Sequence, residues 1–260
     1  MCLIVVAWRS HPRYRCIIAA NRDEFHERAT APGHWWAENP PILAGRDLQA
    51  GGTWLGITRS GRFAALTNYR TSHAPRAEAP SRGNLVTDVL RSTSTPAEEL
   101  ARLHRVGAAY NGFNLIFSNG ERLGVYESVR GAGRELAPGI YGLSNDALDT
   151  PWPKVQKAKL RLQASLQNMD DPRAALDLLR DDRPAADAEL PKTGLTMERE
   201  RLQSSAFIRD AVYGTRCSTV VRIDHAGQAV FDEWSWDASG DESNRVSLHF
   251  DIAHAPGSVV

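Results

Sequence analysis

Two apolar runs at the start of the chain, Leu3–Trp8 and Tyr14–Ala20, are separated by little more than Ser10-His11-Pro12-Arg13. This pairing constrains the fold more than any other stretch. Both runs are rich in Ile, Val and aromatic residues and are of strand length, so they predict an opening antiparallel hairpin with a short polar turn. Leu3–Val6 lacks polar alternation, the mark of a strand covered on both faces. Such a strand lies centrally in a sheet, and the residue ahead of it sits at its exposed end, where a cleft can form. That residue is Cys2.

The rest of the chain alternates regions rather than single elements. Residues 26–50 hold five Pro or Gly positions and read as an irregular loop over the core. Strands are expected over Thr53–Thr58 and Arg62–Asn68, and a further hairpin over Phe113–Ser118 and Leu123–Ser128 around Asn119-Gly120. Thr95-Pro96-Ala97-Glu98 starts a helix with a capping box and a proline at its first position. Thr150-Pro151 opens a second helix over Trp152–Gln167, and Asp171-Pro172 caps a third through Arg180. Residues 181–203, charged and Pro-containing, read as a mobile excursion. Three strands close the chain: Cys217–Ile223, Ala229–Trp234 and Val246–Phe250. Strands, then helices, then strands favour an α+β layered fold in a single domain spanning 1–260, and an αββα sandwich fits.

Lys+Arg and Asp+Glu both total 31, so no overall field favours nucleic acid or an anionic membrane. Leu3–Trp8 and Cys16–Ala20 are too short to span a bilayer, and Arg9, Arg13 and Arg15 interrupt any signal-peptide core. Three cysteines make no disulfide framework. These features lead us to expect a cytoplasmic protein with free thiols. The eight histidines show no metal-ligand spacing, and phosphate-loop and dinucleotide fingerprints are missing, so no metal or cofactor is expected.

Methionine is removed when the second residue is small, so the mature chain is expected to begin with Cys2. An α-amine of reference pKa ~7.7–8.0 would then stand beside a thiol of ~8.5 and serve as its base. The hairpin returns Asn21-Arg22-Asp23-Glu24 to the neighbourhood of Cys2. Arg22 can depress the thiol pKa, while Asp23 or Glu24 can hold the α-ammonium. Asn68, before Tyr69, and Asn145 each end a strand, and their amides suit an oxyanion hole. Arg216 is a candidate for a substrate carboxylate or for orienting the site. Trp35, Trp36 and Trp54 can wall an apolar pocket; Asn21, Glu24 and Tyr69 are further binding candidates. Cys16 and Cys217 read as core thiols.

Asn21-Arg22-Asp23-Glu24 is the signature of the NRDE family, whose animal members are called transport and Golgi organisation proteins. The resemblance runs through Met1-Cys2, Gly51-Gly52-Thr53-Trp54-Leu55-Gly56, Ala64–Tyr69, Tyr110-Asn111-Gly112-Phe113-Asn114-Leu115, Tyr141–Asn145, Thr150-Pro151-Trp152 and Tyr213-Gly214-Thr215-Arg216. That family is similar to the cysteine branch of the N-terminal nucleophile hydrolases. The resemblance therefore implies a four-layer αββα sandwich and cleavage of a non-peptide C–N amide of a small N-acyl substrate. In that branch Asn68 and Asn145 match oxyanion-hole contexts, while the tetrad departs from the acylase spacing, leaving Asp23 or Glu24 for the aspartate role. Arg216 stands in for a later arginine of the acylases that has no clear counterpart. The family's ties to haem and to acyl-CoA or lipid metabolism imply an alternative, a carrier on the same fold.

Overall fold

The computed structural model describes residues 2–71 and 73–253. The opening hairpin forms as expected. Strand β1 (Cys2–Trp8) pairs antiparallel with β2 (Tyr14–Phe25), in a register that sets Cys2 opposite Arg22 and Leu3 opposite Asn21. Sequence reasoning ended the second strand at Ala20. In fact β2 continues through the whole tetrad, because β11 (Tyr213–Asp224) goes on pairing along its other edge.

Stretch 26–50 is not an irregular loop. It holds β3 (Thr30–Trp35) and β4 (Ile42–Asp47), which extend a sheet through β5 (Leu55–Thr58), β6 (Phe63–Asn68), β7 (Phe113–Ser118), β8 (Leu123–Glu127) and β9 (Ala132–Leu136). The proline signal misleads here because β3 is an edge strand, where Pro32 interrupts no ladder on both sides. Gly33 falls at a register shift and meets the second sheet so closely that a Cβ there would lie 2.6 Å from the Phe231 ring. The second sheet runs β10 (Gly139–Leu143), β1, β2, β11, β12 (Gln228–Trp236) and β13 (Glu242–Asp251).

Helices cover the outer face of each sheet. Ile4, Val6 and Ile18 point between the sheets against Ile57 and Ile116. Leu3, Val5 and Ile17 point the other way, onto α3 (Pro153–Ser165) and α4 (Pro172–Leu179). Both faces of β1 are therefore covered, as its missing alternation requires, and each such side chain contributes about 1.5–3 kcal/mol. On the other sheet, α1 (Gly83–Arg91) and α2 (Pro96–Val106) cover Leu66, Phe113 and Leu115. The layers are α, β, β, α.

The Thr95 capping box and the Asp171 cap form as read. Helix α1 escaped sequence reasoning, since Arg82 at its start makes no side-chain cap; its sign was the buried spacing of Leu85, Val86, Val89 and Leu90. Within 181–203, α5 (Met197–Leu202) brings Glu200 into a buried ion pair with Arg70 at 2.7 Å. Among the described residues no helix is long and apolar enough to cross a membrane.

Candidate active site

Strand alternation divides the tetrad between two faces of one sheet. Cys2 shares the inter-sheet face with Ile4 and Val6, and Arg22 shares it with Ile18 and Ala20. Asn21 and Asp23 follow Ile17 and Ala19 onto the helix-covered face. Cys2 and Arg22 are thus side by side beneath the opposite sheet, with Asp23 just behind them.

Arg22 is fixed from three directions. Its guanidinium lies 4.4 Å over the Trp54 ring, donates to Thr30 Oγ1 at 3.1 Å, and stands 3.7 Å from Asp47 Oδ2. A cleft of about 410 Å³ opens in front, lined among others by Cys2, Arg22, Asp23, Glu24, Trp54 and Asn68. The backbone of Gly52 passes Gly83 so closely that a Cβ on Gly52 would lie 2.7 Å from Gly83 C, which brings the start of α1 to the cleft wall. A second hollow of about 680 Å³ adjoins it and shares Glu24, Arg28, Asn68, Pro75 and Arg82; Phe25, Leu202, Val212 and Tyr213 form its apolar part.

Ser144 stands between Cys2 and the two asparagines. Ser144 Oγ donates to Cys2 O at 3.0 Å and lies 3.1 Å from Asn145 Oδ1. Asn145 Nδ2 then donates to Asn68 O at 2.8 Å. Buried Asn145 therefore spends one amide hydrogen on fixing the backbone of Asn68, a residue that lines the cleft.

Electrostatics at the site are dominated by burial. It pushes the Cys2 thiol up; Asp23 adds to the rise and Arg22 opposes it. Burial also raises Asp23, opposed by the Lys154 ammonium and by Thr215 Oγ1, which donates to Asp23 Oδ1 at 2.7 Å. Tyr213 donates to Asp23 O at 3.0 Å. Lys154, only 2% exposed, donates to Gln203 O at 3.0 Å, and burial lowers its pKa from 10.5 to about 8 against the pull of Asp23.

The depressed pKa of Lys154 has a stability consequence. A folded pKa below the unfolded one means that stability rises as pH climbs from about 8 towards 10.5, and is lost as pH falls back through 8. Lys154→Met is expected to remove that part of the rise, at most about 1.4 kcal/mol per pH unit. Urea denaturation of both chains at about pH 7 and about pH 10.5 reads the difference, with equal slopes the contrary result.

Several candidates lie outside the cleft. Asn21 faces the helices, donating to Leu179 O and Ala206 O at 2.8 and 2.7 Å and accepting from Ser218 Oγ at 2.6 Å. Trp35 packs edge-on against Phe250, and buried Trp36 donates to Ala44 O on the α1 side. Tyr69 donates its backbone N–H to Gly112 O and packs against Gly112. Arg216 Nη1 donates to the carbonyls of Phe25, His26 and Arg28, because the register shift between Thr215 and Cys217 turns it to the end of β2. Met1, whose removal the sequence suggests, lies outside the described residues.

Conversely, sequence reasoning missed Lys154, Ser144, Asp47 and Arg82. Lys154 had a sign: it stands in phase with Ala158 and Leu162 on the buried face of α3. Asp47, at the end of β4, and Arg82, at the start of α1, meet the site only through long-range packing, for which no local signal exists.

Comparison with known proteins bears on the family and the fold. The chain is 38% identical to the Transport and Golgi organization protein 2 homolog of Bos taurus over 272 residues, covering 96% of this chain and 98% of that one. It is 35% identical to the Homo sapiens homolog, covering 90% and 93%. A solved conjugated bile acid hydrolase from Clostridium perfringens matches with a TM-score of 0.54 at 10% identity, over 97% of this chain and 92% of that one. At such low identity the likeness speaks for the fold alone, the αββα sandwich described above. The family model described as Transport and Golgi organisation 2 matches residues 1–238, and the chain belongs to that family.

Proposed function

We propose that the chain is an N-terminal cysteine amidohydrolase that cleaves a non-peptide C–N bond of a small N-acyl substrate. The observation that supports this most is the meeting of Cys2, Arg22 and Asn68 in one cleft, with Asp23 directly behind.

With Met1 removed, the Cys2 α-amine takes the proton from Sγ, and the thiolate attacks the substrate carbonyl carbon. Asn68 donates to the tetrahedral oxyanion, held in place by Asn145. The C–N bond then breaks as the α-ammonium passes its proton to the leaving amine. A thioester on Cys2 remains. Water, deprotonated by the same amine, attacks it, and the acid leaves as Sγ recovers its proton. Arg22 offsets the burial that raises the thiol pKa, and the Asp23 carboxylate balances the α-ammonium.

Asn68→Ala is expected to lower kcat by about 10²–10³. Stopped assays of amine release from N-acyl anilides measure it, with iodoacetamide labelling of Cys2 as the control for an intact nucleophile. A kcat within threefold of the parent (about 0.7 kcal/mol) would remove Asn68 from the oxyanion hole.

A further inference from the structure

Four arginines line the cleft: Arg22, Arg28, Arg76 and Arg82. Carboxylates account for two of them. Asp47 Oδ2 lies 2.7 Å from Arg28 Nε and 3.7 Å from Arg22, and Glu24 lies 3.9 Å from Arg28. Arg76 and Arg82 belong to the stretch between β6 and α1 that borders the cleft, and among the described residues neither forms an ion pair.

Both are held by one short segment instead. Arg76 Nη2 donates to the carbonyls of Ala108, Ala109 and Tyr110 at 3.1, 3.1 and 2.7 Å, and Arg82 Nη1 donates to Gly112 O at 3.1 Å. Asn111 closes the bracket. Its Oδ1 accepts from Arg76 N at 2.9 Å and its Nδ2 donates to Arg76 O at 3.0 Å. The Tyr110-Asn111-Gly112 motif thus fixes two guanidiniums over the cleft by neutral carbonyls, which set position; the Glu24 carboxylate attracts the Arg82 charge from across the cleft without forming an ion pair. Burial already disfavours the charged form of Arg82. Arg76 is exposed and Arg82 half-buried, so both guanidiniums can meet an anion that enters the cleft.

We propose that Arg76 and Arg82 form an anion-binding subsite, so that the amide substrate carries an acidic group, a carboxylate or a phosphate; this rests on the amidohydrolase reading. Guanidinium groups bind either anion through paired charge-assisted hydrogen bonds. Arg82 borders both hollows, so the acid can lie on either side of the scissile bond.

The test is calorimetric binding to the full chain carrying Cys2→Ala, which cannot turn the probes over. Three matched pairs are used: N-octanoylglycine and its methyl ester, adipic acid monoanilide and its methyl ester, and N-octanoylethanolamine phosphate and N-octanoylethanolamine. In at least one pair the acid is expected to bind about tenfold more tightly than its neutral partner. The pair that responds identifies the acid and its side of the amide. Arg76→Gln with Arg82→Gln is expected to cut the preference to under about twofold while leaving the neutral partner's affinity unchanged, which shows the cleft intact; Arg82→Lys alone keeps part of it. Equal binding within all three pairs, or a preference that survives the double variant, would overturn the subsite. Amine release by the parent chain is followed in parallel. Acid preference without release keeps the subsite and removes the hydrolase; release without acid preference does the reverse.

Discussion

Cys2→Ala is expected to lower amide turnover by roughly 10⁴–10⁶-fold, the scale on which a lost nucleophile acts. Alanine leaves the Asn68 amide, Arg22 and the cleft in place, so substrate still binds and a residual rate above water remains. The fold should hardly register the change. Cys2 is the first residue of β1 and partly exposed, and its main-chain partners, Arg22 across the hairpin and Ser144 through Cys2 O, do not depend on the thiol. Amine release and thermal midpoint, measured together, separate the two effects. A rate within tenfold of the parent would place the nucleophile elsewhere.

The largest expected loss of stability comes from Arg70→Ala. The Arg70 guanidinium lies 4.7 Å over the Trp152 ring and 2.7 Å from Glu200, and the two ion-pair side chains are 3% and 5% exposed. Without Arg70, Glu200 keeps Thr193 N–H and Oγ1 at 2.9 and 2.5 Å but has lost its counter-charge in a buried place. Breaking such a pair costs about 3–5 kcal/mol. Replacing both partners, Arg70→Met with Glu200→Leu, is expected to recover most of it. Denaturant titrations of the three chains check this, and a loss under about 1 kcal/mol for Arg70→Ala at neutral pH would contradict it.

Legibility in this chain follows the range of the interaction. The hairpin was readable because its turn is short and because Leu3–Val6 lacks alternation, so the register that sets Cys2 against Arg22 is a local matter. The caps at Thr95 and Asp171 are local too. Trp35 and Trp36 misled because an aromatic pair in a Pro-containing stretch looks the same over a cleft as in a sheet; only pairing with β5 through β4 makes 26–50 a sheet edge. Arg216 donates to the carbonyls at the end of β2 because of a bulge, a one-residue shift that no composition shows. Asn21 stands beside Arg22 in sequence yet faces the helices, the cost of reading a tetrad as a unit where a strand reads it in alternation.

Intact mass of the purified chain, before and after exposure to an activated N-acyl substrate, tests the central claim most directly. The expected result is a chain lacking Met1 that gains one acyl mass, mapped to Cys2 and lost again in water with release of the acid. Retention of Met1, or an acyl group on Cys16, Cys217 or a lysine, would contradict it. The α-amine would then be no base for the thiol, and a carrier of haem or acyl-CoA on the same fold would be the reading to pursue.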